Sequence, residues 1–377
     1  MRFVVANRTS RRGEGLGNEL LPWAKGWLAS QELNAHLVGP SWGLNRRRYS
    51  RNFKTSRLDF VLEDALLRLP HLEFTEADYR ATRQIDFGAA IRNWAVARGL
   101  PQRRSFIVRV GGMWGGYAAI HRARPFLWSR LLASRHALHN IDRVLARLDR
   151  TKLFVAVHLR SGAGEFVQAL PGQPVRGTFN VAIPGEWYTS VCQELARHFR
   201  DRIQFWFFTD RRTPDFVAAV RQFNPAQCPP SSLTECSDLL LMALADLRVC
   251  SVSSYSMAAS FLAGGPYIWY EPQLTLRDGV YSLWGYEEAQ ENTHSSTKLN
   301  DAKFPSTQSP PIACALGTAM DIGDPLPDQT VAILEDRLRA KNPRTNLLDF
   351  GCLPQSLCRS EAQNALGPVA VEKSGVR

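Results

Sequence analysis

Leu153-Phe154-Val155-Ala156-Val157-His158-Leu159-Arg160-Ser161-Gly162 is the stretch on which the fold turns. Its first five residues are apolar without interruption, as in a strand buried on both faces, and the run ends on a histidine and an arginine. Such a strand needs helices on both sides of its sheet. The chain downstream supplies them: helical patterns over Glu186–Phe199, Pro214–Gln222, Asp238–Leu247 and Ser256–Ala263 alternate with strand patterns at Ile203–Phe208, Val249–Val252 and Tyr267–Tyr270. Alternation of this kind predicts a parallel sheet, with ligands at the carboxyl ends of its strands. His158, Arg160, Thr209, Asp210, Ser253 and Ser254 are therefore expected to line one crevice.

Upstream, Arg2–Asn7 reads as a strand, Thr9–Gly17 as a glycine-containing loop, and Leu20, Leu21, Trp23, Ala24, Trp27 and Leu28 as the apolar face of a helix. Leu37–Val38 reads as the next short strand, followed by an Arg-rich stretch from Arg46 to Arg57. Helical patterns recur at Asp59–Leu69 and Trp128–Leu148. From Gln290 to Pro311 the chain is polar and aperiodic, and Asp328–Ala340 reads as a helix. The expectation is an α/β chain with units at 1–150 and 151–285, then a polar linker, helix and tail over 286–377.

The chain has 377 residues, with 46 Lys and Arg against 35 Asp and Glu. Hydrophobic residues at 45% and aromatics at 10% exclude a disordered or collagen-like chain. The surplus of +11 is uneven. Residues 1–150 carry 26 basic and 12 acidic side chains, whereas the remainder is nearly balanced. A basic half points to an anionic partner: a nucleic acid, a membrane surface or a phosphorylated substrate, against the plainer reading of a solvated surface. The seven cysteines form no CxxC pair and no His-linked metal spacing, which fits a reducing, cytoplasmic compartment. Arg8, Arg11 and Arg12 interrupt the N-terminal apolar run, so it does not read as a signal peptide, and Asp246 and Arg248 interrupt the most apolar window.

Three elements carry chemistry. Gly13-Glu14-Gly15-Leu16-Gly17-Asn18 lies between a strand and a helix, where glycines let backbone N–H groups approach an anion or simply form a tight turn. Arg160 at a strand end can donate two parallel hydrogen bonds to a phosphate, with His158 beside it either a ligand or a structural residue. Asp238 begins an apolar helical pattern, and Ser253-Ser254-Tyr255 opens another. The serines suit a phosphate nest and the acid suits guanine N–H donors; equally, they suit helix caps.

In this order the three elements resemble the fucosyltransferase superfamily, which includes peptide O-fucosyltransferases and the α1,6- and α1,2-enzymes. Gly15-Leu16-Gly17-Asn18 is similar to its Gly-x-Gly-Asn loop, His158-Leu159-Arg160 to its His-x-Arg motif, and Asp238 with Ser253-Ser254-Tyr255 to its donor-binding segment. The resemblance spans about residues 2–270. It implies a GT-B architecture of two Rossmann-like domains facing across a cleft, and an inverting, metal-independent transfer of fucose or a related sugar from a GDP-sugar to a hydroxyl acceptor. It further implies that Arg160 stabilises the β-phosphate, Ser253 and Ser254 hold the diphosphate, Asp238 and His158 the guanosine, Tyr255 packs on the nucleoside, and Asn18 closes from the other domain. No cofactor beyond the donor is expected. Glu14 is the first candidate for the general base, with Glu19 and Glu165 next. The sequence departs from the family in having Ser161, Gly162 and Ala163 where many members carry a second Arg and an Asp. Two other readings stand beside this one: a GDP-sugar-binding protein without transfer, and a basic nucleic-acid-binding protein resting on Arg46-Arg47-Arg48, Arg51, Lys54 and Arg57. The acceptor, or the surface presenting it, is expected to be anionic, with peripheral membrane contact allowed.

Overall fold

The structure is a computed structural model that describes residues 1–7, 15–39, 49–53, 57–160, 162, 167–168, 181–227, 234–251, 253–271, 276–277, 280–281 and 317–341. Two purely parallel sheets organise it. Strands β1 (Arg2–Asn7), β2 (His36–Val38), β3 (Leu72–Phe74) and β4 (Phe106–Gly111) form the first, in the order β2-β1-β4-β3. Strands β5 (Leu153–Leu159), β6 (Ile203–Thr209), β7 (Leu247–Cys250), β8 (Tyr267–Tyr270) and β9 (Gly317–Met320) form the second, in the order β9-β8-β7-β5-β6.

The run at 153–159 is an interior strand of the second sheet, between β7 and β6, and is buried at every position. Its side chains divide by the period of two that a strand imposes. Phe154 and Ala156 join one core, while Leu153, Val155, Val157 and Leu159 join the other. The second core lies under helices α6 (Gly185–Phe199), α7 (Pro214–Phe223) and α10 (Asp328–Arg339).

The first core is continuous between the two sheets. Helices α1 (Leu16–Glu32), α3 (Phe87–Ala97), α4 (Arg124–Leu132) and α5 (Arg135–Leu145) come from the first unit, and α8 (Glu235–Leu244) and α9 (Ser254–Ala263) from the second. Cross-unit bonds fix this layer. Trp128 Nε1 donates to the Leu262 carbonyl at 2.9 Å, and the Tyr117 and Phe261 rings lie 5.0 Å apart. Helix α2 (Arg57–Arg68) covers the outer face of the first sheet, where Leu66 packs with Val5 and Val38.

Three features differ from the sequence reading. The helical pattern at 128–148 is two helices, because Ser134 leaves the helix and accepts a bond from the Ala137 amide as the N-cap of α5. Helix α1 begins at Leu16, so Gly17 and Asn18 lie in its first turn rather than in the loop. The segment 286–377 contributes β9 to the second sheet as well as the expected helix. That strand, Gly-Thr-Ala-Met, buries only Met320 and leaves no apolar run to read.

The free edge of β6 is closed by side chains rather than by another strand. Gln227 exchanges two bonds with the Phe207 backbone, at 2.8 and 2.7 Å, and Asn224 Nδ2 donates to the Phe205 carbonyl at 2.6 Å. The amides satisfy groups that would otherwise template pairing with another chain.

Candidate functional site

The second sheet reverses its winding between β5 and β7: the chain goes from β5 outward to β6 and then returns to the opposite side of β5. A crevice outside the carboxyl ends of strands at such a point is where open α/β sheets bind ligands. His158 and Arg160 stand at the end of β5, and Ser251 and Ser253 follow β7. His158 Nδ1 shares hydrogen bonds with Ser256 Oγ at 2.6 Å and Ser251 Oγ at 2.9 Å, and its ring lies 5.4 Å from that of Tyr255. Burial pushes the imidazole down to about 3, with Arg160 acting in the same direction. A ring bracketed by hydroxyls with so low a pKa takes up no second proton at neutral pH, and His158 ties the Ser251–Ser256 turn to the end of β5.

Arg160 is about one-third exposed just past the end of β5, with Nε 3.9 Å from Asp210 Oδ2. The same carboxylate oxygen accepts from the Gly162 amide at 3.2 Å. Asp210 thus links the end of β6 to the turn after β5. The arrangement offers a guanidinium to an anion while an acid fixes its base. Arg160 and Asp210 both stand just past the carboxyl ends of their strands, β5 and β6.

The first sheet has its own reversal between β1 and β4, and α1 starts beside it. Gly17, in that first turn, is pressed against the second unit: a Cβ built on it lies 2.3 Å from the Ser254 carbonyl oxygen. Tyr117 Oη donates to the carbonyls of Gly17 at 3.3 Å and Ser254 at 3.1 Å. The structure therefore brings Gly17 to Ser254 and Tyr255, while Gly15, with nothing within 4 Å of a Cβ built on it, and the half-buried Asn18 flank it in sequence. Ser253 accepts a bond from the Ser256 amide through its Oγ at 3.2 Å, capping α9. Its contribution to an anion would come from the α9 N-terminus, where amide N–H groups and the helix dipole point the same way. Glu19 is buried, and Glu14 and Glu165 lie outside the described residues.

Lys25 holds the other side of the first reversal. It is fully buried, and its Nζ donates to the carbonyls of Gly112 at 2.9 Å and Trp114 at 2.6 Å, with Gly111 at 3.4 Å. The ammonium also sits 3.4 Å from the Trp114 ring centroid. Burial lowers its pKa well below the ordinary lysine value. The loop after β4 is thereby tied to α1.

Asp238 lies in the first turn of α8 and lines a separate cavity of about 200 Å³ with Trp206, Phe208, Thr209 and Arg143. Burial pushes its carboxyl up to about 7; a Thr234 hydrogen bond opposes the shift and Glu235 adds to it. Thr209, which lines this cavity, precedes Asp210 in sequence. The Tyr255 hydroxyl donates to the Glu235 carbonyl and joins the Ser-Ser-Tyr turn to the start of α8. Among the described residues no group of three or more His, Cys, Asp or Glu is placed to hold a metal ion.

Sequence reasoning missed the roles of Ser251, Ser256 and Tyr117. The two serines stood in the Ser-rich stretch that was singled out, but their convergence on His158 depends on the pairing of β5 with β7. Tyr117 gave no sequence signal. No protein-family model matches the chain, and no curated protein matches it.

Proposed function

We propose that the protein is an inverting, metal-independent glycosyltransferase that moves fucose or a related sugar from a GDP-sugar to a hydroxyl acceptor. One observation supports this reading most: the Gly17 turn of one sheet is packed on Ser254 of the other, in the same turn whose Ser256 is bonded to His158, two residues before Arg160. That is where a donor diphosphate would meet helix N–H groups and a guanidinium. Arg160 neutralises charge on the β-phosphate as the glycosidic bond breaks, an effect worth about 3–4 kcal/mol where such a donor has been removed. The turn at Ser253-Ser254 holds the diphosphate, and Asp238 takes the guanine N–H donors in the neighbouring cavity. Tyr255 and His158 pack the nucleoside side, and Asn18 closes from the first unit. The GT-B cleft belongs to this proposal, with the acceptor approaching from the basic first unit. Glu14 is retained as the base that deprotonates the acceptor.

The test is a thermal-shift screen with GDP-, UDP- and TDP-sugars in the presence of a chelator, followed by a donor-turnover assay. Stabilisation by the GDP compounds alone supports the reading. Preference for UDP or TDP removes the role given to Asp238. Tight GDP binding without turnover favours the alternative of a sugar-nucleotide-binding protein.

A further inference from the structure

Helix α2 packs one face on the first sheet, through Leu66 and Leu67 against Phe3, Val5, Val38 and Ile107. Its opposite face is also apolar. Leu58, Val61, Leu62 and, just past its end, Leu69 are 77%, 60%, 45% and 53% exposed, and Ala65 between them is exposed as well. Positions 58, 61, 62, 65 and 69 fall on one helical stripe. Four of the large apolar side chains that the described residues leave in water are gathered on this stripe, which lies on the outside of the outermost layer. Isolated exposed leucines need no explanation; an aligned set of them does.

The charge around the stripe selects its partner. Residues 46–69 hold seven basic side chains (Arg46, Arg47, Arg48, Arg51, Lys54, Arg57 and Arg68) and three acids, Asp59, Glu63 and Asp64. Glu63 is buried, and Asp64 pairs with Arg68 at 2.6 Å, so two of the three acids are already engaged. The stripe consists of leucine, valine and alanine without the tryptophan or tyrosine anchors that dominate protein–protein hot spots. A twofold interface between copies would bring the same basic stretch against itself. A shallow aliphatic face in a stretch of sequence with an excess of Lys and Arg matches an anionic lipid surface, where aliphatic side chains enter the acyl boundary and cations meet headgroups.

We propose that α2 docks the first unit onto an anionic membrane surface. The inference does not depend on the reaction assigned to the crevice. It places the protein as a peripheral rather than a spanning one, and no helix among the described residues is long and apolar enough to cross a bilayer.

Full-length protein is sedimented with vesicles of phosphatidylcholine alone or with about 30 mol% phosphatidylserine. Binding to the anionic vesicles that weakens with added salt is expected, together with a roughly tenfold loss of partitioning in Leu58→Ser/Leu62→Ser at unchanged thermal stability. Val61→Cys carrying a polarity-sensitive fluorophore is expected to shift to the blue on the same vesicles. Equal binding to both vesicle types, or undiminished binding by the double variant, overturns the proposal. So does a dimer in solution that the double variant dissociates, which would assign the face to a second copy of the chain.

Discussion

Gly17 and Ser254 touch where the helices that follow strand ends of the two sheets begin: a Cβ on Gly17 lies 2.3 Å from the Ser254 carbonyl oxygen and 2.7 Å from the Tyr255 amide nitrogen. Both contacts are to backbone, so no rotamer change relieves them. Gly17→Ala is expected to lose about 1–3 kcal/mol of stability, the scale of overpacking, although alanine is the better helix former. Gly15 meets nothing within 4 Å, and Gly15→Ala is expected to be neutral. Denaturant unfolding of the pair separates the two positions; equal midpoints would mean that the two units are not locked at Gly17.

Arg160→Ala is expected to lower turnover about 10²–10³-fold while leaving the fold intact, since the side chain is partly exposed past the end of β5. Asp210→Asn keeps the bond from the Gly162 amide but removes the charge beside Arg160. A smaller loss is expected there, in turnover more than in donor affinity, because Asp210 positions the guanidinium. Steady-state kinetics of both variants checks this, and full activity in Arg160→Ala would end the proposed mechanism.

The sequence made β5 legible because both of its faces are buried, and the alternation of Phe154 and Ala156 against Val155 and Val157 follows from the strand period alone. Arg160 directly follows β5, whereas Ser253 and Ser254 stand beyond the end of β7 as the cap and first residue of α9. The break at Ser134 had a signal, a serine ahead of a new apolar register, which the helical pattern on either side hid. The association of the two units was not legible. It depends on which outer faces of α1, α4, α8 and α9 meet, and helices that are apolar on most sides do not declare their partners.

Lys25→Met is expected to destabilise the protein by about 2–4 kcal/mol. The substitution keeps volume and apolar stem but leaves the carbonyls of Gly112 and Trp114 without their donor. The loop after β4 would loosen, and amide exchange there should accelerate. Unchanged unfolding free energy would show that those carbonyls find other donors.

His158 and Asp238 oppose one another in acid. Burial lowers the His158 pKa to about 3, so from the ordinary value of 6.5 downward the unfolded chain takes a proton that the native ring refuses. Stability from this group is therefore whole above pH 6.5 and falls towards pH 3, by up to about 5 kcal/mol in all. Asp238 is raised to about 7, so between 7 and its ordinary value of 3.8 the native state holds a proton that the unfolded chain has lost. Its contribution rises as pH falls through that window. The two slopes have opposite signs and overlap from roughly pH 4 to 6.5, which keeps their sum shallow. Single substitutions expose each one: Asp238→Asn is expected to steepen the acid loss, and His158→Gln to make stability grow on mild acidification. Unfolding free energies at several pH values across that window check both signs. A wild-type slope unchanged by either substitution would mean that neither group titrates with the buried pKa given by its surroundings.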